Sequence, residues 1–415
     1  MLKFLLPLLI ILQLSHAIAG KKKTSVPLDE LINFPSNWEM TSEEFEQEFA
    51  KGKSKYYKWL TADKSRAKMN SITHSNGQIV LNLFDKKLKV EEVIVDFADD
   101  KLNLVTFSIY NRGDMGEISS DKLNEIYMLT GKSMGEALQC RPNQRKADPR
   151  NGLLTEGYSW NSPKGIALLE YNEGALGSQT PEFLRLRVAN KSARSGLAAS
   201  MLNSRGGASI KSSKLKDFLV EDKEGNVFIK GIPMVDQGRK GYCVVASVQR
   251  LFEHFGIGAD MHQLAQITNA DPQMGTNTLK MADALGDIDY RFKTRLKIIG
   301  MMGSNGRMVT VDQKRDVYYQ GKELDERRVL KAIRDSINIG VPLLWSLELG
   351  KYQEEPNLNP QTQGGHMRII IGYNDDQEKI IFSDSWGAGH EFKTMKMRDA
   401  YHATKGLFTL KPTVN

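Results

Sequence analysis

The chain has 415 residues, 40% hydrophobic and 26% charged, the balance of a globular protein of two or three domains rather than of a disordered or membrane-embedded one. Its formal charge of +7 arises from 57 basic and 50 acidic side chains interspersed along the chain, which reads as a solvated surface and not as a nucleic-acid footprint. Two cysteines, Cys140 and Cys243, are too few for the disulfide framework of a small exported protein.

The first residues have the layout of a secretory signal. Lys3 supplies the positive start, Phe4 to Leu14 the apolar run, and Ala17-Ile18-Ala19 the small residues of a cleavage site after Ala19. The apolar run is short for a bilayer span, so the expectation for residues 1–19 is removal, with a secreted or periplasmic product and no integral membrane segment afterwards.

Residues 20–190 read as a separate α/β domain of unknown role. Thr41 and Glu44 have capping-box spacing and open a helix through Phe45 and Phe49, expected to resume at Tyr56–Leu60 after a break near Gly52. Strands are expected at Ile79–Phe84, Val90–Phe97 and Leu102–Tyr110, a helix at Ser120–Leu138, and strands at Gly165–Tyr171 and Phe183–Val188. Asp96, Asp99 and Asp100 read as a strand-end turn, because Ala98 and Lys101 stand where a calcium loop needs an oxygen donor and a glycine. Cys140 reads as a small buried hydrophobe. Residues 191–215, rich in Ser, Ala, Gly and Lys, read as a flexible linker.

Residues 216–415 read as helices first and strands later, an α+β arrangement with a helical half and an antiparallel sheet half. Helices are expected at Asp260–Ile267, Asn277–Leu285 and Glu323–Ile339, strands at Leu343–Leu349, Arg368–Tyr373 and Ile380–Ser383.

The chemistry concentrates in two segments of this half. In the first, a Pro- and Gly-rich loop from Gly231 delivers Cys243 to the start of a helix whose Val248, Leu251, Phe252 and Phe255 form one apolar stripe, with Gly256 as its C-cap. A thiol in the first turn of a buried helix lies in the positive field of that terminus, which favours the nucleophilic thiolate. Gln237 can return over the site through the glycine turn and offer its amide, with the Cys243 N–H, to a developing oxyanion. In the second segment, Gly364-Gly365-His366 opens an apolar strand, and a short turn leads to Ile380-Ile381-Phe382-Ser383-Asp384-Ser385-Trp386-Gly387. A hairpin of this kind sets Asp384 near His366, where a carboxylate fixes the imidazole tautomer and stabilises the imidazolium.

Gln237, then Cys243 opening a helix, then His366 at a strand start, then Asp384 followed by Ser385-Trp386-Gly387: this order resembles the papain-like cysteine peptidases, over about residues 228 to 410. The resemblance implies a thiol peptidase acting on a peptide or protein substrate with no cofactor, and a Trp386 that shields the His–Asp hydrogen bond from water. Lys240 stands where papain has a second cysteine, and the third member is Asp rather than Asn. Both departures look more like the bacteriocin-processing, double-glycine branch, as does Gly275-Thr276 before a helix. Two other uses of the same residues stay open: acyl transfer of the transglutaminase kind, and a papain-like scaffold kept for binding. Transglutaminases have a much shorter interval from Cys to His, and the intact residue set speaks against pure binding.

Other motifs fail on their own spacing. His390-Glu391 lacks the second His of a zinc-peptidase helix, Ile126 replaces the first glycine of a phosphate loop ending at Gly131-Lys132-Ser133, and Gly256-Ile257-Gly258 lacks a third glycine. Gly206-Gly207 reads as ordinary linker, with self-cleavage after Gly207 as the sharper alternative.

Overall fold

A computed structural model describes residues 22–52, 54–74, 77–146, 155–172, 181–192, 208–238, 240–271, 273, 275–314, 317–358 and 363–415. The signal sequence expected at 1–19, Arg239 of the glycine-rich loop and Gly206-Gly207 of the expected linker lie outside the described residues.

The N-terminal part is dominated by antiparallel sheet, which corrects the α/β layering expected for it. Eight strands run in the order Asn143–Arg145, Glu156–Ser162, Gly165–Asn172, Phe183–Ala189, Lys101–Asn111, Glu92–Ala98, Arg66–Asn70 and Lys58–Trp59. Each neighbouring pair is antiparallel. The reason lies in the connections. Parallel pairing needs a crossover of a dozen residues or more, whereas Asp99 and Asp100, both at positive φ, close a two-residue hairpin. A smaller sheet holds the one parallel pair found among the described residues, Lys22–Pro27 beside Gly77–Leu83.

Local signals fared unevenly here. The capping box forms as expected, with Thr41 Oγ1 accepting from Glu44 N at 3.1 Å and Glu44 accepting from Thr41 N at 2.8 Å. The helix at Ser120–Leu138 has the expected bounds. The helix expected at Tyr56–Leu60 is instead extended, with Lys58–Trp59 paired to the Arg66–Asn70 strand. Tyr57 and Trp59, two apart, both face Phe45, an alternation that only extended backbone gives.

The C-terminal part is α+β. Two strands, Leu219–Glu221 and Val227–Ile229, precede helices Cys243–His254, Met261–Ile267 and Thr278–Ile288, and eight more strands after them complete a ten-stranded sheet, its centre formed by Gly364–Asn374, Leu343–Leu349 and Thr404–Pro412. The Val248, Leu251, Phe252 and Phe255 stripe is buried in one core with Met367 and Ile369 of the central strand. A second core fills the other sheet face beneath the Glu326–Ile337 helix. The N-terminal core draws only on residues from Val26 to Val188, and the other two only on residues from Ala208 onward. The two parts nonetheless meet over a charged surface: Arg66 donates to Glu253 at 2.8 Å, Arg185 pairs with Asp260, and Lys240 donates to Asp114 at 2.6 Å.

Candidate active site

Cys243 is the first residue of the Cys243–His254 helix, as its sequence position implied, and it is partly exposed. Tyr242 offers no side-chain cap to the helix terminus, so the first N–H groups stay available at the thiol. Cys140 is also a free thiol; it is half-buried against the N-terminal core rather than fully inside it.

His366 is the third residue of the Gly364–Asn374 strand, opposite Leu347 of the neighbouring strand. The hairpin to Lys379–Ser383 carries a bulge: Gly372 faces Ile381 and Ile370 faces Phe382, so Ile371 is the extra residue. The bulge matters because a one-residue slip turns every later side chain to the other face. Continuing the shifted register one step past Ile369 and Ser383 sets Asp384 across from Arg368, on the face that Arg368 shares with His366. Asp384 Oδ1 lies 2.7 Å from His366 Nε2 and also accepts from the Ser385 N–H at 2.8 Å. This leaves Nδ1 of the ring to face Cys243, with which the imidazole also hydrogen-bonds.

Trp386 covers the pair. Its ring stacks on His366 with centroids 4.5 Å apart and planes 18° off parallel. Gln237 lies on the same side, tied to the turn that carries Trp386. Its N–H donates to Ser385 O at 2.9 Å, its Oε1 accepts from the Ser385 hydroxyl at 2.7 Å, and its Nε2 donates to Lys240 O at 3.1 Å. The four sequence-predicted residues therefore converge on one site, assembled from a loop, a helix and two strands.

Sequence reasoning missed the cations behind it. Arg368 is fully buried and donates through Nε to Asp384 Oδ2 at 2.6 Å and through Nη1 to Glu354 at 2.5 Å. Glu354 in turn accepts from the fully buried Lys393 at 2.6 Å. Charges thus alternate from His366 through Asp384, Arg368 and Glu354 to Lys393. Arg250 closes the other side, donating to Asp384 O at 2.8 Å, Ser383 Oγ at 2.5 Å and Pro233 O at 2.7 Å. A signal was present for Arg368: a lone charge within an apolar strand, two residues after His366 and so on its face.

Electrostatics follow from these contacts. Burial disfavours a charged His366, but Asp384 and then Cys243 outweigh it and push its pKa up to about 9. Burial likewise opposes ionisation of Asp384, yet His366 and Arg368 hold its carboxyl well below the usual range. The imidazole is therefore a cation at neutral pH, next to a thiol at a helix N-terminus. A protonated imidazole beside a thiol can give a proton to a leaving group.

Residues 229–408 match the model of the Peptidase_C39 like family. This match supports a likeness of that stretch to the papain-like, C39-type cysteine peptidases. The match spans a little under half of the chain and leaves the N-terminal sheets outside it. Among solved structures, the chain is similar to xylellain, a cysteine protease from Xylella fastidiosa, with 14% identity over 51% of this chain and 92% of that one and a TM-score of 0.29. No curated protein matches the chain.

Proposed function

We propose that the chain is an exported thiol peptidase in which Cys243 is the nucleophile, His366 its base and acid, Asp384 the group that orients His366, and Gln237 an oxyanion donor. The observation that carries this reading is the buried 2.7 Å contact of His366 with Asp384 under Trp386, with the other face of the ring turned to a thiol that opens a helix. Cys243 Sγ attacks the scissile carbonyl carbon, and the carbonyl oxygen, now an oxyanion, takes hydrogen bonds from the Cys243 N–H and Gln237 Nε2. Collapse of this intermediate breaks the C–N bond as His366 Nδ1 gives its proton to the departing amine. Water, deprotonated by the now neutral His366, then attacks the thioester and releases the acid and the thiolate. Export rests on Lys3, the Phe4–Leu14 run and Ala17-Ile18-Ala19, and the division into an N-terminal domain at 20–190 and a peptidase domain rests on their separate cores, of which the second takes in Ala208 and Leu215 from the stretch expected as linker and so starts before residue 216.

Labelling with a thiol-reactive peptidyl electrophile tests the assignment. Fast labelling of the parent, lost in Cys243→Ala and slowed to the rate of a free thiol in His366→Ala, is expected. Parent-like labelling of the His366 variant refutes it.

A further inference from the structure

The segment that carries Gln237 is tied to Ser385 at Gln237 itself but has glycines on its far side. Gly238 sits at positive φ, and Gly241 follows three residues later. The Gln237 amide has two N–H donors, and one is taken by Lys240 O while the Ser385 hydroxyl holds Oε1, so the positions of Lys240 and Ser385 together decide where the other N–H points.

Both ends of this turn are gripped by the N-terminal sheets. At the Asp236 end, Lys68 Nζ donates to the Asp236 carbonyl at 3.0 Å and Lys58 pairs with the Asp236 carboxylate. The same carboxylate accepts from Gly238 N at 2.8 Å and so closes the turn. At the other end, Lys240 Nζ donates to Asp114 at 2.6 Å, in the short Arg112–Met115 helix capped by Asn111. Gly113 packs so closely there that a Cβ would lie 2.9 Å from both Lys240 Cδ and the Tyr242 hydroxyl. Tyr242 is the residue immediately before the thiol. One flank is braced as well, where Arg66 donates to Met234 O at 3.1 Å. The Lys68 and Lys240 contacts are built rather than incidental, since those side chains are only 3% and 5% exposed, whereas Lys58 reaches the buried Asp236 from the surface.

We propose that the N-terminal part completes the active site: Lys58 and Lys68, which hold Asp236, and Asp114, which holds Lys240, are positioning residues that set Gln237 to meet the oxyanion. The inference rests on the catalytic reading above and adds to it. The N-terminal part is then not a tethered passenger, and a peptidase half released from it keeps its thiol but loses much of its power to acylate. The physical basis is that a misplacement of about 1 Å in a catalytic group can cost on the order of 100-fold in rate.

The test compares two reactions of Cys243 in the full chain. Alkylation by iodoacetamide is a displacement with no tetrahedral oxyanion, and acylation by p-nitrophenyl acetate passes through one. Gln237→Ala sets the scale, slowing acylation by about 100-fold and leaving alkylation at the parent rate. Lys58→Met and Asp114→Asn are mild changes, because Asp236 keeps its Gly238 contact and Lys240 keeps an amide oxygen to bond. Combined, they are expected to slow acylation by about tenfold with alkylation unchanged. Acylation within about twofold of the parent overturns the proposal. So does a parallel fall in both reactions, which marks a general loosening of the fold. If Gln237→Ala itself leaves acylation unchanged, or the parent thiol alkylates no faster than free cysteine, the catalytic reading fails first and this inference falls with it.

Discussion

Asp384→Asn preserves the shape of the side chain and removes the charge that keeps His366 protonated. In the parent, burial acts against the imidazolium, while Asp384 and Cys243 overcome it and raise the pKa from the ordinary 6.5 to about 9. A group whose pKa is raised on folding stabilises the folded state fully below its unfolded value, and that stability is lost as the pH rises through its folded value. The gap between the two values corresponds to at most about 3 kcal/mol, present below about pH 6.5 and gone above about pH 9. The variant lacks this increment. It also leaves Arg368 facing a neutral amide, a cost that does not change over the same range. Urea unfolding of parent and variant from about pH 6 to about pH 10 separates the two parts. The variant's deficit should shrink by about 3 kcal/mol across that span. A deficit that stays constant with pH means that His366 is neutral in the folded protein, and the thiolate–imidazolium reasoning is then wrong.

Two further outcomes follow from packing around the site. Arg250→Met deprives Pro233 O, Asp384 O and Ser383 Oγ of their common donor, and at about 1 kcal/mol per lost bond it should cost roughly 3 kcal/mol in a urea titration. A cost near zero would show that these acceptors find other partners. Gly241→Ala places a methyl 2.7 Å from Gly275 N, backbone against backbone beside the thiol, so thermal unfolding should report a loss of about 1–3 kcal/mol and p-nitrophenyl acetate should acylate Cys243 more slowly.

Most of the candidate site was legible because its parts are local. A helix start, a strand start after two glycines and a Ser-Trp-Gly ending are each written in adjacent residues, and Cys243, His366, Asp384 and Gln237 meet where that grammar puts them. Fold class in the C-terminal half followed from the same periodicities. The Tyr56–Leu60 stretch failed because three aromatic residues within four positions suit helix and strand alike, and only Phe45 across the core decides which alternation wins.

The sequence by itself determined the candidate side chains, their order and the elements that carry them, because propensity, capping and apolar spacing act over a few residues. Tertiary structure alone decided three things. The bulge at Ile371 turned Asp384 onto the face of His366, a register choice made by the whole sheet. The alternating chain from His366 to Lys393 drew its members from separate strands and a loop, since a buried charge is tolerable only beside its opposite. Last, two ion pairs and a hydrogen bond between residues more than a hundred positions apart set the N-terminal part on the segment of Gln237, and no local pattern in either segment records that pairing.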